Sequence, residues 1–521
     1  MNLDMEKINV LWADDEIDLL KPHILFLKDK GYEVQAAKSG DEAIELISKN
    51  EYACILLDEN MPGISGLETL THLKAKYPEL PVIMITKSEE EYVMEDAIGS
   101  KISDYLIKPV NPNQILLSLK KTLDNKRLIS EKTTSNYQQE FRQIGMSLSD
   151  RLSWNEWLDV YKKLVYWELE LDKSKDESMI EILKMQKSEA NKLYGKFIEN
   201  NYVGWINGKT PNAPLFSHTI FKAKVAPLLD KEETTFVVLI DNLRYDQWKI
   251  IQPIVSEYFK IEEEDLYSSI LPTATQYARN AFFAGLMPSE IEKRFPKLWL
   301  NDEEEGGKNL HEEELLIDQL KRLGKDVKVS YNKITNHAAG KKLSENISNL
   351  LQNKLNVIVY NFVDMLSHAR TEMEVIRELA DDEKAYRSIT LSWFEHSPLH
   401  DILKQIAAKK CKLVITTDHG TIKVSEPSKV VGDKNVNTNL RYKQGKSLDY
   451  VKKDVFEIRN PSDVFLPKQH VSSAFVFVKE DKFFAYPNNF NYYVNYYRNT
   501  FQHGGLSLEE MIIPFITLSS K

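Results

Sequence analysis

Asp14 and Asp15 follow the apolar run INVLWA, Asp58 follows ACILL, Thr86 ends PVIMIT and Lys108 follows DYLI. Each run reads as a short strand, so these residues fall where parallel strands end, the edge that lines the ligand crevice of an open α/β sheet. Three carboxylates gathered there repel one another unless a cation joins them, and hard oxygen ligands favour Mg2+. A carboxylate so placed can attack a phosphoryl donor while the cation and a lysine ammonium neutralise the growing charge. The Thr86 hydroxyl is expected to close on a phosphoryl oxygen, and Tyr105 to swing inward as Thr86 moves. Pro109 offers a cis peptide that would aim the Lys108 ammonium inward.

A second constellation is scattered over the C-terminal half. Asp241 closes TFVVLID, Thr273 and Thr275 precede a predicted helix in SSILPTATQYARNAFFAG, and Asp364 and His368 occur as DMLSH. Asp418 and His419 follow in TTDHG, and His503 lies in QHGG. Asp364 and His368 are four residues apart and share one face if a helix begins there. Alone, a DH pair is a turn, HGG is a turn with a histidine, and each threonine is a helix cap. Together they supply three Asp and three His, enough for two metal sites of mixed O/N character. That donor set suits Zn2+, two per output domain and one in each site, with Mn2+ an alternative.

The elements that must position these residues change twice along the chain. Residues 1–122 alternate strand-like runs with amphipathic stretches, the βα pattern of an open parallel sheet. Over 123–217 the strand signal vanishes. Trp154, Trp157, Tyr161 and Leu164, then Leu183, Ala190, Leu193 and Phe197, recur at helical spacing and predict a helical linker bundle. No basic face stands out there, which disfavours specific DNA binding. From 218 to 521 the strand–helix alternation returns, with long polar insertions. The expected fold is therefore α/β and multidomain.

The 521 residues carry a net charge of −10, and nothing at that scale favours a nucleic-acid backbone. Only Cys54 and Cys411 are present, each in an apolar run, so neither a disulfide framework nor a cysteine zinc site is expected. The sequence shows neither a signal-peptide pattern nor an apolar stretch of about 20 residues, and the expected location is cytoplasmic.

The set DD, D, T and KP, in this order and spacing, resembles the receiver domain of two-component response regulators, a flavodoxin-like fold. The resemblance implies that Asp58 is the phosphoacceptor and that Asp15 and Asp58 bind Mg2+. Asp14 would support through the metal's waters, and the Asn60 carbonyl would complete the protein ligands. The C-terminal order resembles the alkaline phosphatase superfamily, and DNLRYDQW around Asp241 resembles a PglZ-type domain. It implies one metal on Asp241, Asp418, His419 and the nucleophile, and another on Asp364, His368 and His503.

The superfamily spacing from Gly285 points to Thr275 as nucleophile, with Thr273 the runner-up, and sets Arg279 where sulfatases keep an arginine. Arg244 and Arg279 would hold phosphoryl oxygens, although Arg244 serves equally well in an ion pair with Asp246 or Glu257. Asn242 would orient Asp241, touch substrate or simply make a turn. A cap insertion over residues 421–470, with Arg441 and Tyr442, would admit a nucleotide base and favour phosphodiesters, including oligonucleotides.

A receiver joined through helices to a PglZ-like domain resembles the PorX-type response regulators associated with type IX secretion. That resemblance implies a sensor histidine kinase, a homodimer on phosphorylation, a sigma factor and a secretion-motor component as partners. Two functions follow as expectations: a metal-dependent phosphodiesterase or phosphatase governed by Asp58, or a non-catalytic scaffold that recruits transcription or secretion machinery. The physiological substrate and the choice between monoester and diester stay open at this level.

Overall fold

The computed structural model describes residues 8–87, 102–148, 151–173, 177–302, 304, 306–372, 382–432, 437–468, 470 and 472–521. The chain divides into two compact units, Met1–Tyr137 and Gln138–Lys521.

In the first unit, strands β1 (Ile8–Ala13), β2 (Tyr32–Ala37), β3 (Cys54–Asp58), β4 (Val82–Thr86) and β5 (Asp104–Ile107) form one sheet. Their order is β2-β1-β3-β4-β5 and every pairing is parallel. Alternation sorts the strand residues between two cores. Val10 and Trp12 pack on one face with Leu56 and Ile83, while Leu11 and Ala13 pack on the other with Ile55 and Leu57. Helix Gly40–Lys49 starts where Ser39 accepts from the Glu42 N–H, and helix Gly66–Lys76 starts with a Ser65/Glu68 capping box. Gly66 itself is dictated by packing, because a Cβ there would meet the Asp58 carbonyl oxygen at 2.3 Å.

In the second unit, helices Trp154–Lys173 and Glu177–Ile206 pair through aromatic contacts such as Trp157 against Tyr194, 5.3 Å apart between ring centres. The boundary expected at 122 falls inside a helix, Pro112–Leu148. The linker helices and the C-terminal α/β domain also belong to one compact unit. Contacts of the kind Tyr161–Tyr245 and Tyr202–Phe456 explain this, since each buries a linker aromatic against the domain beyond.

The C-terminal domain is built on six strands: β6 (Thr235–Ile240), β7 (Phe259–Ser268), β8 (Val329–Ile334), β9 (Leu355–Tyr360), β10 (Lys412–Thr416) and the terminal strand Ile512–Ser520. Strands β10, β6, β9 and β8 run parallel in that order, and the terminal strand pairs antiparallel with β10 and with β7. All residues of β6, β9 and β10 are buried, as expected of strands covered on both faces. The cap is larger than the expected 421–470: small sheets occupy the chain from Ile422 to Gln502.

Candidate functional site

At the C-terminal edge of the first sheet, Asp14, Asp15 and Asp58 each bring a carboxylate oxygen within 4.8 Å of the others. Lys108 Nζ lies 2.8 Å from Asp14 Oδ2 and 3.0 Å from Asp58 Oδ2. Asp14 Oδ1 accepts from the Glu16 N–H at 2.8 Å, so that carboxylate is fixed from both sides. Burial, and then the charges of Asp14 and Asp15, push the Asp58 carboxyl up, and Lys108 opposes them. Asp58 Oδ1 is buried without a hydrogen-bond partner. An unpartnered buried carboxylate oxygen among three acids is the donor set a hard divalent cation satisfies.

Thr86 is buried at the end of β4 and hydrogen-bonded to the half-buried Tyr105 hydroxyl. Asn60 is exposed two residues beyond β3, and the Lys108–Pro109 peptide is cis.

The second centre gathers around the ends of β6, β9 and β10. Asp241 follows β6 directly, Asp418 and His419 lie just beyond β10, and Asp364 sits in the first turn of helix Phe362–Glu372 after β9. His503 follows the short strand Phe501–Gln502. Two clusters form, one of Asp241, Asp418 and His419 and one of Asp364, His368 and His503, each within 4.8 Å. His419 Nε2 is 3.9 Å from Asp241 Oδ1 and 3.8 Å from Asp418 Oδ2. Asp364 lies 3.6 Å from both His368 Nε2 and His503 Nε2. The clusters adjoin, since the His419 and His503 rings stack with centres 4.3 Å apart.

Second contacts fix the imidazoles. Nδ1 of His419 lies 3.1 Å from the Gly420 carbonyl, and Nδ1 of His503 lies 3.2 Å from the Thr273 carbonyl. A carbonyl can only accept, so each Nδ1 carries a proton and Nε2 is left as the nitrogen that could bind a metal. Burial, followed by the neighbouring His419 and His368, holds the His503 imidazole well below its ordinary range and keeps it neutral.

Asp241 Oδ1 and Asp418 Oδ2 are buried with no hydrogen-bond partner. Burial pushes the Asp241 carboxyl well above the usual range, and the Asp418 and Asp364 charges add to it against Arg279. Two carboxylate oxygens without hydrogen bonds beside an imidazole fit a divalent cation.

Thr275 is the first residue of helix Thr275–Ala284, and its Oγ1 lies 3.1 Å from His419 Nε2. Thr273 faces elsewhere: its hydroxyl donates to the Gly505 carbonyl at 2.8 Å and accepts from the Gly504 N–H at 3.0 Å.

The two arginines expected to hold phosphoryl oxygens have carboxylate partners instead. Arg279 contacts Asp241, Glu312 and Asp418 at 2.8, 3.1 and 3.4 Å. Arg244 pairs with Asp246 at 2.5 Å and Glu383 at 2.6 Å, so Asp246 but not Glu257 is its partner. Asn242 adopts a left-handed turn with φ of 65°. Its Nδ2 lies 3.4 Å from Asp364 Oδ1 and 3.2 Å from Ser367 Oγ, so it orients the second cluster rather than Asp241. In the cap, Arg441 is fully buried against Glu510, with Nη2 2.6 Å from Oε2. The Tyr442 hydroxyl is buried against Asp302 at 2.9 Å. Neither is presented to a nucleotide base, which corrects the expectation for the cap.

Glu312 and Glu510, each buried and paired with an arginine remote in sequence, have no local signal to mark them. Ser367, within DMLSH, is a further residue of the site, and its position three residues after Asp364 is the sequence signal for it.

Comparison with known proteins assigns each region. Residues 10–120 match the response regulator receiver domain, and residues 127–206 match the PorX response regulator linker domain. Residues 220–518 match the BREX system PglZ alkaline phosphatase-like domain. Among curated proteins, the transcriptional regulatory protein SrrA of Staphylococcus aureus is 34% identical over 114 residues, 22% of this chain. The chain spans about half the length of the curated relatives it matches, 47% of SrrA.

Among solved structures, a CheY-like receiver domain protein of Methanospirillum hungatei is 27% identical, covering 23% of this chain and 95% of that one, with a TM-score of 0.22. CheY4 of Vibrio cholerae, a chemotaxis response regulator, is 29% identical over 22% of this chain and 99% of that one, also at 0.22. Among the described residues no helix is long and apolar enough to cross a membrane. With its PglZ match spanning more than half of its length behind a receiver and a PorX linker, the chain belongs to the PglZ alkaline-phosphatase-like family, as a response regulator of PorX type.

Proposed function

We propose that Asp58, phosphorylated by a cognate sensor histidine kinase with Mg2+ held by Asp14, Asp15, Asp58 and the Asn60 carbonyl, controls a zinc-dependent phosphoesterase in the C-terminal domain. The observation that carries this reading is the Thr275 hydroxyl 3.1 Å from His419, beside two adjoining Asp/His clusters. Asp241, Asp418, His419 and Thr275 would hold one Zn2+, and Asp364, His368 and His503 the other. Such ions lower the pKa of a bound hydroxyl or water and neutralise the oxygens of an in-line displacement.

Thr275 Oγ1 gives up its proton and bonds to phosphorus as the ester's P–O bond breaks, and the alcohol leaves with a proton. Water then cleaves the phosphothreonine and restores the hydroxyl. The N-terminus of helix Thr275–Ala284 would favour the negative phosphoryl oxygens beside Thr275. Arg279, set among Asp241, Asp418 and Glu312, holds those carboxylates in place through its guanidinium.

Phosphodiesters, such as nucleotides or oligonucleotides, fit this centre better than monoesters. A diester carries one negative charge where a monoester carries two, and Arg244 and Arg279 are already neutralised by carboxylates. The PorX linker match supports a role among regulators of type IX secretion, with homodimerisation on phosphorylation as the natural control. Metal content measured together with hydrolysis of bis- and mono-p-nitrophenyl phosphate tests the reading. Asp364→Ala should lose about half of the bound zinc and nearly all turnover, with the diester preferred in wild type. Full activity in that variant would remove the second metal from the mechanism.

A further inference from the structure

A chain of buried ion pairs joins the linker helices to the output centre. Arg387, on helix Glu383–His396, donates from Nη1 to Glu168 at 3.0 Å and from Nη2 to Asp172 at 2.6 Å, both on linker helix Trp154–Lys173. The same Nη1 donates to Asp246 at 2.9 Å, and Asp246 holds Arg244 at 2.5 Å. Arg244 stands three residues after Asp241, and its guanidinium lies 5.6 Å from the ring centre of Tyr386 and 5.4 Å from that of Phe501. Phe501 is two residues before His503.

The other linker helix, Glu177–Ile206, reaches the centre from a second side. Lys187 pairs with Glu168 at 2.7 Å and with Glu509 at 3.5 Å. Asn191 donates to Glu509 Oε2 at 3.0 Å and accepts from the Leu508 N–H at 2.8 Å. Glu509 in turn abuts the residue after His419, because a Cβ on Gly420 would meet its carbonyl oxygen at 2.0 Å. The Gly420 N–H donates to the next carbonyl, that of Glu510, at 3.1 Å.

These groups are enclosed, with side-chain exposures of 4% for Arg387, 11% for Glu168 and 17% for Lys187. An apolar seam would hold two helices on a sheet as well as this, whereas a buried ionic network fixes one register of the elements it joins. Burial works against the Glu168 charge, yet Lys187 and Arg387 outweigh it and hold the carboxyl down to about 2. Glu168 is therefore ionised at neutral pH, and the two branches of the network end beside three metal-ligand segments, those of Asp241, His419 and His503.

We propose that Arg387, Lys187 and Asn191 are positioning residues: through them the linker helices set the geometry of the output centre, and a displacement of those helices changes its turnover. The inference rests on reading that centre as a phosphoesterase, and adds the route by which the linker acts on it. Two discrete registers of a packed interface amplify small shifts better than a deformable one would. Residues beyond 138 in helix Pro112–Leu148 also touch this assembly, where Gln186 donates to the Phe141 carbonyl at 3.0 Å and Lys163 pairs with Glu140.

The test uses the full chain loaded with zinc. Arg387→Lys keeps the charge and removes the planar fork; Lys187→Met and Asn191→Leu break the second branch. Lys184→Ala, an exposed lysine paired with Glu181 on the same helix, is the control. Turnover of bis-p-nitrophenyl phosphate, retention of zinc against a chelator and the melting midpoint are measured, the first two far below every midpoint. The network variants should lose between about 10- and 100-fold in kcat with KM little changed, and release zinc faster, while the control matches wild type.

Lowered midpoints with wild-type kcat and zinc retention would make the network structural only and overturn the proposal. If wild type binds zinc but turns nothing over, the phosphoesterase reading falls by itself. Zinc retention then decides: faster loss in the variants upholds the positioning role, and equal retention overturns it. A wild type that binds no zinc overturns both. Should Arg387→Lys fail to fold, Asn191→Leu carries the same comparison.

Discussion

Thr275 Oγ1 lies 3.1 Å from Nε2 of His419, while the Thr273 hydroxyl two residues earlier is closed off between the Gly505 carbonyl and the Gly504 N–H. The two threonines thus have separable roles. Thr273→Val should destabilise the fold by about 1–3 kcal/mol, because backbone groups at Gly504 and Gly505 lose a buried partner. The folded fraction should still hydrolyse a diester, and denaturant melts alongside activity per folded molecule check this. A stable, metal-loaded and inactive Thr273→Val would reverse the assignment.

The receiver centre predicts a chemical modification. Incubation with acetyl phosphate and Mg2+ should add one phosphoryl group to wild type by intact mass, and none to Asp58→Asn. Chelating the Mg2+ should abolish the gain, since Asp14, Asp15 and Asp58 cannot approach a phosphoryl donor without a counter-cation. Addition to Asp58→Asn at the wild-type rate would place the acceptor elsewhere.

Arg441 and Glu510 form a pair in which both side chains are fully buried. Arg441→Met leaves the Glu510 carboxylate without its partner, and should cost about 3–5 kcal/mol of stability. The ratio of KM values for nucleotide and p-nitrophenyl diesters should not move, because the side chain does not face a ligand. A selective rise in the nucleotide KM, with stability intact, would restore Arg441 to a base-binding role.

Lys443 gives the fold a measurable pH dependence. Burial pulls its ammonium down to about 7, although Nζ donates to the Asn437 carbonyl at 2.7 Å and stands 4.9 Å from the Tyr486 ring centre. The folded chain releases this proton near 7, whereas the unfolded chain keeps it up to the ordinary value of 10.5. Between those limits the unfolded state binds more protons, so stability rises with pH. This group should contribute a slope of up to about 1.4 kcal/mol per pH unit there. Chemical melts across that range should show a steeper rise for wild type than for Lys443→Met, and parallel curves would mean that the lysine is not desolvated as described.

Much of this was legible before the fold was known, and the reason is local. The apolar runs ending in Asp58, Asp241 and Asp418 carry their own evidence of being strands, and parallel strands deliver the residues at their ends to one edge. The i, i+4 spacing of Asp364 and His368 likewise needs only a helix to bring both side chains together. The arginines were another matter. Arg244 meets Glu383 139 residues away, and Arg441 meets Glu510 69 residues away. Periodicity shows that such a side chain is buried but not which remote charge it will meet, so a residue that neutralises a carboxylate reads the same as one that binds phosphate. The receiver match ends at 120, beside the expected boundary at 122, while nothing local to the sequence marks that helix Pro112–Leu148 runs on past it.

Thr275 as the nucleophile of a metal-dependent phosphoesterase under receiver control is the proposed role on which the others depend. The most direct measurement is the hydrolysis of bis-p-nitrophenyl phosphate by zinc-loaded wild type and Thr275→Val at matched metal content. A loss of at least about 100-fold in kcat with zinc retained, and partial recovery in Thr275→Ser, is the predicted result. Turnover in Thr275→Val equal to that of wild type would contradict the account.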